Sequence, residues 1–370
     1  MVGERVGMIE VWVELSGENL ALARAELGGA LEALGGDRAG TGPVPSNVPG
    51  ELVRLPAPAL ARSLATRLAL AHRCSIPIRV GSADAASAWL RREARSGKTA
   101  AFRPLGHPGA SAVDRTLEIL VGGWKDGGGT IALRSPERRF WYGTAGAQGF
   151  WFAEEAAEVG RKAFTARRMP TLPFRRPVSL PPRLARVAAN LARIRTGDRI
   201  VDPFVGTGAL LAEAHLLGAR VSGADRDAEM IRGAAANLEH LGVTAELLRT
   251  ADAADPFPAP DGGLWDGVLT DPPYGRSSGT SGELPAELLR RALPAWAPFV
   301  RTGGFLSIIV PEGTPRDLGT GWSFVQGIGD RLHRSLTREF RAYRRNGSVP
   351  DSGTPEPGSS PRDADPRLNR

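Results

Sequence analysis

The sequence predicts an α/β protein: a Rossmann-like, mostly parallel sheet in the C-terminal half, preceded by smaller α+β units. Two observations predict this. From Leu180 onward, short apolar runs alternate regularly with amphipathic helical stretches, the pattern of a sheet covered on both faces. Before that point the strand and helix patterns are shorter, and their order is βα(β)βαβ, that of a small ferredoxin-like unit.

The first strand is MIEVWVE, residues 8–14, and apolar residues at helical spacing over 17–34 stop at Gly35-Gly36, a helix end. A Gly/Pro/Ser-rich connection leads to a strand at 52–55, a helix at 57–72 and a strand at 75–80, which closes a unit spanning 1–80. Residues 81–145 form a second mixed unit, with a helix near Ala85–Arg95 and strands around Thr116–Val121 and Thr130–Arg134. Residues 146–178, where Arg161, Lys162, Arg167, Arg168, Arg175 and Arg176 are interleaved with Phe and Pro, are expected to be a linker. The third unit, 179–345, reads as helix 182–194, strand 199–202, helix 207–217, strand 220–224, helix 227–241 and strands 244–249 and 266–270. Helix 283–299 and strands 304–310, 323–328 and 338–344 complete it. Residues 346–370 have hardly an apolar side chain and are expected to be a disordered tail.

The composition narrows the function classes. The chain has 370 residues, 42% hydrophobic and 24% charged, enough for two or three packed domains. It has no apolar run long enough for a membrane span and no export signal behind Met1, so a cytoplasmic protein with no membrane association is expected. Its one cysteine, Cys74, excludes an internal disulfide framework and a multi-thiolate zinc site, and no metal is expected. The net charge of +7 is unevenly placed: residues 51–112 alone hold 10 basic against 3 acidic side chains. Nearly all the cations are arginines, whose planar guanidinium bonds two phosphate oxygens at once, although a GC-rich genome would give the same bias.

The chemistry sits at strand ends. Strand 199–202 runs through Asp202-Pro203-Phe204-Val205-Gly206-Thr207-Gly208 into a helix, and in open α/β sheets ligands bind just beyond such carboxyl ends. One strand later Asp225 is placed to accept both hydroxyls of a ribose, and one strand further Asp252 is placed to bond an adenine amino group. Either carboxylate alone could simply cap the next helix, but three in succession describe a nucleoside pocket. The fourth strand ends in Thr270-Asp271-Pro272-Pro273-Tyr274-Gly275. An exocyclic amine is a poor nucleophile because its lone pair is delocalised into the ring. Two N–H bonds, to the Asp271 carboxylate and the Pro272 carbonyl, would pull the nitrogen toward tetrahedral geometry and aim the lone pair at a methyl donor. The prolines hold the acceptors in place beforehand, and Tyr274 offers a ring on which a base can stack.

Asp202–Gly208 followed by Asp271–Tyr274 resembles the class I S-adenosyl-L-methionine-dependent amino-methyltransferases. More closely, residues 8–345 resemble the THUMP-domain tRNA (guanosine-10 N2)-methyltransferases of the archaeal branch. Four stretches support this: Ser16-Gly17-Glu18 with its helix, Arg176–Ser179 leading to Pro182–Arg186, Gly275–Ser278, and His333–Arg338. The resemblance implies a class I methyltransferase domain at 179–345, a THUMP-like RNA-binding unit at 81–145, and methylation of guanosine N2 at tRNA position 10. It places Asp202, Gly206 and Gly208 around the methionine end of the cofactor, Asp225 at its ribose and Asp252 at its adenine, with Phe204, Ser179 and Leu180 also against the cofactor. Asp271, Pro272 and Tyr274 would hold the guanine, and Arg276 would meet either RNA phosphate or a surface carboxylate. The partner implied is tRNA, gripped by the N-terminal half, with no obligate protein partner. The same Asp-Pro-Pro-Tyr also serves adenine N6 and cytosine N4, so an enzyme acting on DNA or rRNA stays open, as does a tRNA-binding protein with an inert domain.

Overall fold

The computed structural model describes residues 7–39, 44–45, 48–106, 110–146, 149–177, 179–255, 257–273, 285–317, 321–333 and 336–347. The chain begins with β1 (Ile9–Leu15), α1 (Leu20–Leu34), β2 (Asp37–Arg38), β3 (Gly50–Leu55), α2 (Ala59–Arg67) and β4 (Ala71–Pro77). Their order across the sheet is β2-β3-β1-β4, every neighbour antiparallel, which is the expected ferredoxin-like βαββαβ arrangement. Helix α1 starts where the Asn19 side chain accepts the Leu22 N–H at 3.1 Å, and it stops at Gly35 in the left-handed conformation.

The next elements are α3 (Ala83–Glu93), β5 (Thr99–Pro104), α4 (Ala110–Asp126), β6 (Thr130–Ile131), β7 (Arg138–Ala145) and β8 (Gly149–Glu158). Two expectations fail here. Thr116–Val121 is not a strand but lies inside α4, where Leu117, Leu120, Val121 and Trp124 follow helical spacing. The Gly122-Gly123 pair disguises that period. A Cβ at Gly123 would stand 2.3 Å from the Ser87 hydroxyl, so the glycine is what lets α4 lie against α3. The expected linker 146–178 also contains a strand. β8 pairs with β7 on one side and β4 on the other, stitching both units into one eight-stranded sheet, β2-β3-β1-β4-β8-β7-β5-β6. Its acidic run looks solvated in sequence, but Glu154 accepts two bonds from Arg138 at 2.7 Å and Glu155 accepts one from the Trp141 indole at 2.8 Å. The connecting segment therefore begins only after Glu158 and includes the short α5 (Arg161–Thr165).

The C-terminal half comprises α6 (Pro182–Leu191), β9 (Arg199–Asp202), α7 (Ala209–His215), β10 (Arg220–Asp225), α8 (Ala228–His240), β11 (Ala245–Thr250), β12 (Trp265–Thr270), α9 (Pro285–Trp296), β13 (Val300–Pro311), β14 (Trp322–His333) and β15 (Leu336–Arg345). The strands lie in the order β11-β10-β9-β12-β13-β15-β14. The first five are parallel, β15 runs against them and β14 runs with them again, so the carboxyl ends of β9, β10, β11 and β12 share one edge. On one face Trp265, Trp296 and Trp322 are buried, and each indole N–H donates to a backbone carbonyl. Among the described residues no helix is long and apolar enough to cross a membrane. The expected tail, residues 348–370 above all, lies outside the described residues.

The two halves share a core. Leu22, Leu27 and Leu31 of α1 belong to one apolar cluster with Ala185, Ala188 and Leu191 of α6. The helices approach so closely that a Cβ at Gly29 would lie 2.1 Å from the Asn190 carbonyl oxygen. A polar network crosses the same contact. Glu26, fully buried, accepts from the Ala69 and Leu70 N–H groups at 2.8 Å and from the Asn190 amide at 2.9 Å. Arg186, also buried, donates to the Thr66 carbonyl at 3.1 Å and pairs with Glu213 of α7 at 2.8 Å. Arg167 forks onto the same Glu213 at 2.7 and 3.2 Å. Glu213 thus pairs with two arginines, and the Glu26 carboxyl is held by three N–H donors, the kind of satisfaction that buried ionic groups require.

Candidate active site

Asp202 closes β9 and is fully buried. Its Oδ1 accepts the Phe204 N–H at 2.9 Å and the Thr270 hydroxyl at 2.7 Å, whereas its buried Oδ2 has no partner among the described residues. Thr270 is the last residue of β12, the neighbouring strand, so this bond ties the first motif to the residue just before Asp271. Burial pushes the Asp202 carboxyl up to about 7, and the nearby charges of Asp225 and Asp271 add to the effect.

A consequence for stability follows from the sign of that shift. The folded state favours the protonated acid, so Asp202 supports folding at low pH and loses that support as pH rises toward 7. Asp202→Asn is therefore expected to raise the melting temperature at pH 8 and to change it little near pH 4. The stabilisation is at most about 4 kcal/mol, for a carboxyl raised by burial to about 7. Thermal unfolding at both pH values checks it; equal effects at both would show that ionisation is not the cause.

Gly206 and Gly208 have φ of 52° and 84°, values that turn the chain sharply from strand to helix and favour glycine. Among the described residues an added Cβ at Gly206 would meet only the Phe204 carbonyl, at 3.9 Å, so none of them fills the space beside this backbone. Gly208 faces Leu238 and Ala234 of α8, where a Cβ would sit at 3.4 and 3.5 Å. Asp225 ends β10 and spans the loop: one oxygen accepts the Gly206 N–H and the other the Asp227 N–H, both at 3.0 Å. Burial raises its pKa as well. Each of its oxygens keeps a lone pair for a further donor. Phe204 is half-buried, its ring edge-on to Trp296.

Asp252, just past the end of β11, is held differently. It accepts the Ala254 N–H at 2.8 Å and forms an ion pair with Arg291 of α9, and this bond holds its pKa below the ordinary range. Ser179 is half-buried; its N–H and its hydroxyl both donate to the Arg176 carbonyl, closing a turn at the entry to α6. Asp271 is half-buried and Pro272 buried. Tyr274 and Gly275–Ser278 lie outside the described residues, as do Val178, Arg334 and Ser335.

The fold thus brings Asp202, Asp225 and Asp271 to the carboxyl ends of three strands on one edge, around the glycine loop, with Asp252 at the fourth. Two partners of these carboxylates carry no such signal in the sequence: the Thr270 hydroxyl looks like that of an ordinary strand residue, and Arg291 looks like a surface helix charge. Only the three-dimensional pairing gives them away.

Residues 171–315 match the model of the UPF0020 family, described as RMKL-like, methyltransferase domain. This stretch of the chain is similar to methyltransferase domains. The tRNA (guanine(10)-N2)-dimethyltransferase of Methanothermobacter thermautotrophicus is 36% identical over 198 residues, and that of Pyrococcus abyssi 37% identical over 196. These matches cover 53% and 51% of this chain, and 58% and 57% of those proteins. The chain therefore matches somewhat more than half the length of these relatives. A solved structure of TrmN from Thermus thermophilus aligns over 91% of this chain and 99% of its own, with 21% identity and a TM-score of 0.46. The matched stretch contains Asp202, Asp225, Asp252 and Asp271.

Proposed function

We propose that this protein transfers a methyl group from S-adenosyl-L-methionine to the exocyclic N2 of a guanosine in tRNA, at position 10. The observation that carries this reading is the bond between Thr270 and Asp202, which holds the cofactor loop and the Asp271-Pro272-Pro273 turn on adjacent strands. The names of the relatives supply the nucleoside and the RNA.

The residues fit the cofactor. The buried Asp202 oxygen without a partner among the described residues suits a cationic donor such as the methionine ammonium. The backbone at Gly206, where no described residue fills the space, leaves room for a ligand to lie against it, and the free lone pairs of Asp225 suit ribose hydroxyls. Asp252 would take the adenine amino group beside Arg291. Ser179 and Phe204 would flank the methionine end. When bound, the cofactor supplies an electrophilic methyl group on a sulfonium, and no metal is called for.

The chain's own residues do the rest. The Asp271 carboxylate and the Pro272 carbonyl accept the two N–H bonds of the target amine, turning its lone pair out of the base plane. Asp271 is the nearest acceptor for the proton that nitrogen releases. Tyr274 stacks on the guanine, which must leave its own stack at a cost of about a few kcal/mol. Tight binding of the rest of the tRNA offsets that cost.

That grip falls to the N-terminal body, with residues 81–145 as its THUMP-like unit. Much of the positive charge in 51–112 is already used: Arg54, Arg73, Arg79, Arg91 and Lys98 pair with carboxylates, and Arg67 is buried. Arg62, Arg92, Arg95 and Arg103 are exposed and make no ion pair among the described residues, although Arg103 donates to the Leu133 carbonyl, so these are the cations offered to phosphate. Incubation with labelled S-adenosyl-L-methionine and, separately, unmodified tRNA, rRNA fragments or duplex DNA tests the reading. Label in tRNA alone is expected; label in rRNA or DNA but not tRNA would overturn it.

A further inference from the structure

Helix α8 carries a stripe of three residues, Glu229, Gly233 and Asn237, spaced four apart and hence on one face. All three grip one segment, residues 174–176, which has no regular secondary structure. Asn237 is only 1% exposed, and its carboxamide is fully used. Its oxygen accepts the Phe174 N–H at 2.9 Å, and its nitrogen donates to the Phe174 carbonyl and to the Thr207 carbonyl, each at 3.0 Å. One turn earlier, Gly233 leaves a notch that the Phe174 ring fills; a Cβ there would lie 2.2 Å from a ring carbon. One turn earlier again, Glu229 pairs with Arg176 at 2.5 Å, and the Arg176 guanidinium lies 4.5 Å from the centre of the Phe174 ring.

The two ends of this arrangement point to its role. Thr207 stands between Gly206 and Gly208, in the loop assigned to the cofactor. On the other side, the Arg176 carbonyl accepts both the N–H and the hydroxyl of Ser179. A single carboxamide thus joins the glycine loop to the segment bearing Ser179. Resting on the reading of this cleft as the S-adenosyl-L-methionine site, we propose that Asn237 is a positioning residue that sets the spacing between the two walls of the cofactor cleft. No other side chain of similar size fits this role. Aspartate would accept the Phe174 N–H but could donate to neither carbonyl, and alanine would leave all three backbone groups without their partner.

The test is equilibrium binding of S-adenosyl-L-methionine to the full-length protein by calorimetry, with steady-state kinetics alongside. Both are run at a temperature where circular dichroism shows each variant folded. For Asn237→Asp and Asn237→Ala the dissociation constant and the cofactor KM are expected to rise about tenfold or more. The KM for tRNA and kcat at saturating cofactor should stay within about threefold, a split that general loss of stability would not produce. Arg176→Ala, which removes the stack on Phe174 and the pair with Glu229, should raise the same constant by about threefold. It serves as the deciding variant if neither Asn237 substitution folds. Folded variants that bind the cofactor as tightly as the wild type would overturn the proposal. Wild-type protein that fails to bind S-adenosyl-L-methionine at all would instead overturn the assignment of the cleft.

Discussion

Asp271→Ala is expected to reduce methyl transfer to tRNA by about a hundredfold to a thousandfold, while S-adenosyl-L-methionine still binds within about threefold of the wild-type affinity. The carboxylate stands just beyond Thr270, whose hydroxyl is bonded to Asp202 and whose side chain is fully buried. The turn therefore keeps its anchor when the Asp271 side chain is removed. What is lost is one of two acceptors for the target amine, an interaction that matters most as the nitrogen becomes tetrahedral. For that reason kcat should fall much more than the KM for either substrate rises. Asp271→Asn keeps one acceptor oxygen in the same place and should retain more activity than the alanine variant. Single-turnover transfer assays and calorimetric binding separate the two effects. Unchanged turnover in Asp271→Ala would remove this residue from the mechanism.

Glu26→Ala is expected to destabilise the whole chain by at least about 3 kcal/mol, although Glu26 lies in the first helix and far from Asp271 in sequence. The substitution leaves the Ala69 and Leu70 N–H groups and the Asn190 amide without their buried acceptor. It also leaves a hole beside Gly29, where α1 and α6 are at their closest. Denaturant unfolding followed by tryptophan fluorescence gives the number. The wild type should unfold in a single transition, because one apolar cluster spans both halves. Two separate transitions, with only the first moved by Glu26→Ala, would show that the halves are independent.

This coupling argues against freeing a folded C-terminal half by a cut at residue 145. A cut at 145 falls between β7 and β8, separating two paired strands. It would also strip the cover from α6, whose residues Ala185, Arg186, Val187, Ala188, Ala189 and Asn190 are buried. The sequence shows no sign of this, because Glu26 within ALARAELGGAL and Arg186 within PRLARVAANL both look like solvated helix charges. Hydrophobic periodicity locates apolar burial and is blind to polar groups buried in pairs.

The same physics explains what was legible. Strands β9, β10 and β12 are short apolar runs that stop at Asp202, Asp225 and Thr270-Asp271, so a change from apolar to acidic marks the strand ends, at the edge where the cofactor is proposed to bind. Their parallel order followed from the helices between them. Helix α4 was misread because Gly122 and Gly123, needed for its approach to α3, break its pattern. β8 was misread because its glutamates face arginines and an indole across the sheet instead of water. Asn237 has the same character: a polar helix residue whose partners, Phe174 and Thr207, are 63 and 30 positions away.

The most direct test of the proposed chemistry changes a single atom group on the RNA. A tRNA transcript with guanosine at position 10 is compared with one carrying inosine there, which lacks the 2-amino group and is otherwise the same base. Both are incubated with the full-length protein and labelled S-adenosyl-L-methionine, and the product nucleosides are identified by mass. Label as N2-methyl- or N2,N2-dimethylguanosine in the first transcript, with none in the second, is the result expected. Equal labelling of both transcripts would contradict methyl transfer to N2 at that position.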